Sequence, residues 1–136
     1  MADRLRLLVA APDRQLVDGD VDEVQVPAAD GYMGVLPGHA PLLTALGSGV
    51  LSFRNERGYH YIAMEDGVME VLPDRVRVLV GHANWANEVD VEHARVELQR
   101  ATQVLEGTIE NDIEHAQAAV ARARAQLEAW DRAAKK

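Results

Sequence analysis

The run Arg75-Val76-Arg77-Val78-Leu79-Val80 places a valine at every second position, and a little further on the chain reads Val89-Asp90-Val91-Glu92-His93-Ala94, where apolar residues begin to recur every three or four positions. The first pattern is that of a strand with one buried face, the second that of a helix. Composition changes at the same place. All five prolines and nine of the ten glycines precede residue 88, whereas eleven alanines lie between Val89 and Lys136. Glycine and proline punctuate turns and alanine is the best helix former. The chain therefore divides into a β region over 1–84 and a helical region over 89–136, with a short joint between them.

Within the β region, Leu5, Leu7 and Val9 alternate with other residues, as do Val24 and Val26, and turn clusters stand at Asn55-Glu56-Arg57-Gly58 and Pro73-Asp74. Many short antiparallel strands at this spacing predict a β sandwich or flattened barrel. In the helical region Val91, Ala94, Leu98, Ala101 and Leu105 form one seam, and Ile113, Ala116, Val120, Ala123, Leu127 and Trp130 form a second. Gly107 separates them, and Asn111 with Glu114 three residues on has the pattern of an N-terminal cap. A connection this short predicts an antiparallel two-helix hairpin. Seams that alternate large residues with alanine bury little apolar area, so the hairpin is expected to be weakly held and able to open onto another surface. The alternative is a fixed brace packed on the β domain.

Hydrophobic residues make up 48% and charged residues 26% of the 136, the balance of a folded globular chain. A net charge of −8 argues against nucleic acid as a partner, since phosphate binding needs clustered Lys and Arg. With no cysteine there is no disulfide framework or thiolate site. The apolar run Leu7-Leu8-Val9-Ala10-Ala11 stops at Pro12, too short for a leader or a span, so the chain is expected to stay in the compartment where it is made. His39, His60, His82, His93 and His115 show no metal-ligand spacing, and neither Ser48 nor Ser52 sits in a nucleophile motif, so neither a metal nor catalysis is expected.

One segment stands out: Gly31-Tyr32-Met33-Gly34-Val35-Leu36-Pro37-Gly38-His39. It lacks the Gly-Lys-Ser/Thr ending of a phosphate cradle. Its glycines and prolines describe a shaped surface loop, and Tyr32, Met33, Val35 and Leu36 either face a protein partner or tuck back into the core. On the helices, Arg122 and Arg124 opposite Asp90 either hold an anion or form solvated ion pairs.

With the continuation Ala40-Pro41-Leu42-Leu43-Thr44-Ala45-Leu46, this loop resembles the signature of the epsilon-subunit family of bacterial and chloroplast F-type ATP synthases. Gly49-Val50-Leu51, Asp66-Gly67-Val68-Met69-Glu70-Val71 and the strand from Val76 to Val80 also stand where that family has them, and the alanine-rich hairpin follows in order. The resemblance implies a sandwich of about ten strands followed by two helices, at the foot of the rotating central stalk on the cytoplasmic face of the bacterial inner membrane. It implies no catalysis and no cofactor. The sandwich would bind gamma, with Gly31, Tyr32, Met33, Gly34, Leu36, Pro37, Gly38 and His39 meeting gamma and the c-ring. The hairpin would permit ATP hydrolysis when folded on the sandwich and block it when extended into the alpha/beta catalytic head.

Several members of that family bind ATP through Ile or Leu, Asp, two residues, Arg and Ala at the start of the first helix. Asp90 keeps the pattern, but His93 replaces the arginine; on the second helix Arg122 matches a phosphate-facing arginine, while Gln126 replaces another. Both departures count against an ATP-sensing hairpin. A guanidinium is always charged, whereas an imidazole with its ordinary pKa of about 6.5 gains its charge only in mild acid. Any affinity for ATP is therefore expected to strengthen below about pH 6.5. Calorimetric titration of the isolated protein on either side of that pH checks this, and equal binding at both removes it.

Overall fold

The computed structural model describes residues 4–107 and 113–135. Eight strands come first: β1 (Leu5–Ala11), β2 (Arg14–Val21), β3 (Glu23–Ala28), β4 (Gly31–Val35), β5 (Leu42–Leu46), β6 (Gly49–Asn55), β7 (Gly58–Leu72) and β8 (Arg75–Trp85). A 3₁₀ turn over Ala86–Glu88 leads to helices α1 (Val91–Leu105) and α2 (Ile113–Ala134). This is the expected β sandwich followed by a helical hairpin.

Two long strands build both layers. The first part of β7 pairs with β6 and the second with β5, while β8 follows β7 along nearly its whole length. Their ladder is interrupted where Asp66 faces Gly81, and there Asp66 takes a positive φ of 20°. The interruption lets one hairpin bend from layer to layer. Gly67 beside it has no room for a side chain, because a Cβ would fall on the Leu79 carbonyl oxygen. Eight strands stand where about ten are implied, because β7, at 15 residues, crosses both layers without a break. The sheet is also not wholly antiparallel. β1 and β8 already have antiparallel neighbours in β2 and β7, and they run parallel to each other with Leu7 opposite Val76 and Val9 opposite Val78.

The period-2 residues do what the alternation predicts. Leu5, Leu7, Val9, Val24, Val26, Val76 and Val78 have essentially no exposed surface and join Leu51, Ile62, Met64 and Met69 in one core. Ion pairs link β1 to β2 and the residues beside them, with Asp18 paired to Arg6 and Asp22, just past β2, paired to Arg4.

The strands of one layer are buried on both faces. Val50 and Ala63, opposite each other on β6 and β7, point away from the core and are covered by Ala125 and Ala129 of α2 together with Ala86. The helix α1 packs on α2 through Ala101 and Val104, which meet Ala116 and Val120, with Leu98 and Ala119 partly buried beside them. The seams therefore differ from those expected. Val104 replaces Leu105, while Leu105, Ile113 and Trp130 remain exposed. The reason is that α2 divides its surface between two neighbours, so its buried stripe widens beyond a single seam. Gly107 closes α1 with a φ of 80°, its N–H donating to the Val104 carbonyl at 3.0 Å. The cap expected at Asn111 lies outside the described residues.

Gly67→Ala should lower stability by about 2–3 kcal/mol, the cost of forcing an atom into packed backbone. Gly19→Ala, whose added methyl meets nothing within 4 Å, is the control. Urea unfolding of the two variants checks this, and equal midpoints would contradict it.

Candidate functional site

Two regions carry the residues singled out by sequence. The first is the loop end of the sandwich. Leu36 to Pro41 link β4 to β5, and the loop is tied to the β7–β8 turn by the Gly38 N–H, which donates to the Pro73 carbonyl at 2.8 Å. Gly38 makes that turn with a φ of 88°, a conformation that disfavours a side chain. His39 Nδ1–H donates to the Ala40 carbonyl at 2.7 Å, which fixes the ring against its own loop.

The apolar members of the segment divide. Val35 is fully buried and Met33 packs partly against the core, whereas Leu36 is 58% exposed and Tyr32 is about half exposed. Tyr32 is held in place, since its hydroxyl accepts the Val50 N–H at 2.9 Å. Gly31 and Gly34 lie open on the surface, and Pro37 is half-buried. Beside this loop the outer face of β5, β7 and β8 carries Leu43, Val68 and Leu79, with Leu43 76% exposed, around the Arg77–Glu70 pair at 3.6 Å. The sequence reading did not single out this patch. Its signal is present in Val68 and Leu79, which hold the outward parity of strands whose inward residues are Met69, Val78 and Val80.

The second region is where the hairpin meets the sandwich. Asp90 is the N-cap of α1, and its carboxylate accepts the His93 N–H at 3.1 Å. Arg122 on α2 joins three elements: its Nε donates to Glu97 of α1 at 2.7 Å and its Nη1 to Glu65 of β7 at 3.4 Å. The Glu97 hydrogen bond contributes most to raising the Arg122 pKa above its ordinary value, so this charge is firmly kept. His93 Nδ1 lies 3.9 Å from the other Glu97 oxygen. His93 and Arg122 thus meet on one carboxylate, while Asp90 is occupied in capping. Gln126 donates to Asn84 at 3.3 Å, and the Arg132 guanidinium lies over the Tyr61 ring at 4.8 Å. Both contacts bind α2 to the sandwich.

Of these partners, Glu97 was legible as the residue one turn after His93. Glu65 was not, since only the bend at Asp66 and Gly67 brings its carboxylate beneath α2. Between the helices lies an open cleft of about 350 Å³, lined by Arg100, Ala101, Val104, His115 and Ala119. Among the described residues no group of three His, Asp or Glu could hold a metal ion, and no helix is long and apolar enough to cross a membrane.

Known proteins were compared with the chain by sequence and by fold. A family model described as the β-sandwich domain of the ATP synthase delta/epsilon chain matches residues 4–86, and one for the long α-helix domain of the same chain matches residues 87–131. The ATP synthase epsilon chain of Solibacter usitatus is 46% identical over 133 residues, covering 97% of this chain and 99% of its own. That of Synechococcus elongatus is 41% identical, covering 92% and 93%. The chloroplastic epsilon chain of Gracilaria tenuistipitata is 36% identical, covering 92% and 94%. A chain in the Euglena gracilis mitochondrial ATP synthase structure, solved with OSCP, F1 and c-ring, shares the fold with a TM-score of 0.83 at 23% identity, covering 95% of this chain and 82% of that one. Matched by family models over both its halves and by relatives along nearly its whole length, the chain belongs to the delta/epsilon family of ATP synthase chains, as an epsilon chain.

Proposed function

We propose that this chain is a non-catalytic subunit of the central stalk, coupling gamma to the c-ring through its sandwich and restraining ATP hydrolysis through its hairpin. The observation that carries the reading is the nature of the hairpin's seat. Alanines, Ala125 and Ala129, cover Val50 and Ala63, and Arg122 clasps the helices to β7. An alanine offers one side-chain carbon, worth about 0.8 kcal/mol when buried. The clasp is more than a third exposed on the arginine side, so water screens it. A seat this shallow holds α2 in place and releases it to a better-matched surface.

The partners are assigned from the remaining surface. One layer of the sandwich is covered by α2, whereas the other shows Leu43, Val68 and Leu79 to solvent, an apolar patch of the kind that marks a protein interface. This face fits gamma. The adjoining loop, with Leu36 displayed and its backbone pinned by Gly38, fits the c-ring. A peripheral place on the cytoplasmic side of the membrane follows from those two contacts. The relatives' family and the Tetrahymena thermophila central stalk and c-ring structure, similar in fold with a TM-score of 0.58 at 17% identity, agree with this reading. ATP sensing is the weaker alternative. The cleft between the helices has room, but Arg122 is engaged by Glu97 and Glu65 and Asp90 caps α1, so a nucleotide would have to displace carboxylates.

Arg122→Ala should weaken the seat by about 1 kcal/mol, shifting the hairpin toward extension roughly fivefold. Hydrolysis by the assembled enzyme is then expected to fall while synthesis stays near wild type. Removal of residues 89–136 should abolish the restraint. Hydrolysis rates unchanged by both alterations would count against a regulatory hairpin.

A further inference from the structure

The joint between the two parts is held by a contact that belongs to neither helix. Arg14, at the start of β2, grips Glu88 with two parallel hydrogen bonds, Nη1 to Oε2 and Nη2 to Oε1, each 2.7 Å. The same guanidinium donates to the Ala83 carbonyl at 2.9 Å, and Glu88 Oε1 also accepts the Trp85 N–H at 2.8 Å. A bidentate fork with these added bonds is the geometry in which a partly exposed ion pair is strong. We propose that this fork is the fixed pivot of the hairpin, holding the joint on the sandwich whether the helices are docked or released and confining the change of direction to Val89 and Asp90. The inference rests on the mobile-hairpin reading given above and adds where the motion begins.

Three observations lead there. First, the contacts that hold residues 86–88 are of two kinds. Ala86 is buried with Ala125 and Ala129, so that cover departs with α2. The fork joins β2 to the joint and uses no atom of the hairpin, so nothing in the release of α2 breaks it. Second, helical order begins at Asp90, whose side chain already caps α1 within the hairpin itself. The residues between fork and cap are extended, with Val89 at φ −70°, ψ 127° and Asp90 at φ −87°, ψ 99°. Rotation at Val89 and about the N–Cα bond of Asp90 moves the cap and the helices as one piece and leaves the ladder of β8 undisturbed. Third, the Arg14 hydrogen bonds, followed in effect by the Trp85 N–H, bring the Glu88 carboxyl down to about 2. The carboxylate is therefore charged at any pH near neutrality, and the fork does not open by protonation there.

The Trp85 amide reports directly on Glu88, which makes hydrogen exchange of the full-length chain the test. Ala125→Glu with Ala129→Glu places two carboxylates where 5% and 0% of the residue surface is exposed, which forces α2 off the sheet while keeping good helix formers. In that variant the Trp85 amide is expected to keep its protection within about threefold of wild type. Adding Arg14→Ala should then speed its exchange by roughly tenfold or more, the protection that a charge-assisted network supplies. The amides of Val76 and Val78 report that the sandwich remains folded. Should Arg14→Ala disturb them, Arg14→Lys, which loses the fork but keeps the charge, takes its place with the same expectation.

Loss of Trp85 protection in the undocked variant while Arg14 is intact would overturn the proposal, placing the pivot upstream. So would a Trp85 amide indifferent to Arg14 once α2 has left. Failure of the mobile-hairpin reading shows elsewhere, as unchanged hydrolysis when the undocked variant is assembled into the enzyme.

Discussion

Val50 and Ala63 face each other across β6 and β7 on the side of the sheet that points away from the core, and what covers them decides the rest of the molecule. Two small apolar side chains make a shallow, nearly flat seat. Only a helix with small residues one turn apart can approach closely enough to exclude water from it, and Ala125 and Ala129 supply that spacing. The close approach then brings Arg122 within reach of Glu65 and sets Gln126 against Asn84. It also leaves the opposite side of α2 to be covered by α1. The same smallness limits the stabilisation, since alanine buries little area. The docked hairpin is thus well positioned and lightly held at once.

The sandwich below it is of a different character. Its core is made largely of valines, leucines and methionines with little or no exposed surface, drawn from all eight strands, and β7 with β8 ties both layers through one bent ladder. The sandwich is thus held by large buried side chains and the hairpin by alanines. Between them stands the 3₁₀ turn over Ala86–Glu88, attached on one side by burial against α2 and on the other by a guanidinium from β2. The asymmetry continues on the surface, where one layer is covered by the hairpin and the other displays Leu43, Val68 and Leu79 next to a loop pinned by Gly38.

Much of this was legible in the sequence because the responsible forces are local. Alternation at Leu5, Leu7 and Val9 and at Val76, Val78 and Val80 placed strands and their inward faces correctly, since a strand repeats every two residues whatever its neighbours are. The turn at Asn55–Gly58 and the helix end at Gly107 follow from backbone preferences of single residues. The seams were only partly legible. Alanine is compatible with a buried face, an exposed face or a face against a sheet, so nothing in Ala125 and Ala129 distinguished them from Ala118 or Ala121, and large residues such as Trp130 drew the expected seam past its true position.

The site shows the same division. Asp90 and Arg122 could be picked out by residue type and His93 by the family resemblance, but not Glu65, which stands far from Arg122 along the chain and meets it only through packing. The amino-acid sequence by itself determined the β-then-helix order, the inward faces of β1, β3 and β8, the position of the joint and the family, because these depend on short-range periodicity and on a contiguous loop signature. Tertiary structure alone decided which face of α2 meets the sheet, which acids hold Arg122, and that Arg14 grips Glu88, because each of those depends on contacts between residues distant in sequence, whose meeting is set by how two layers and two helices pack.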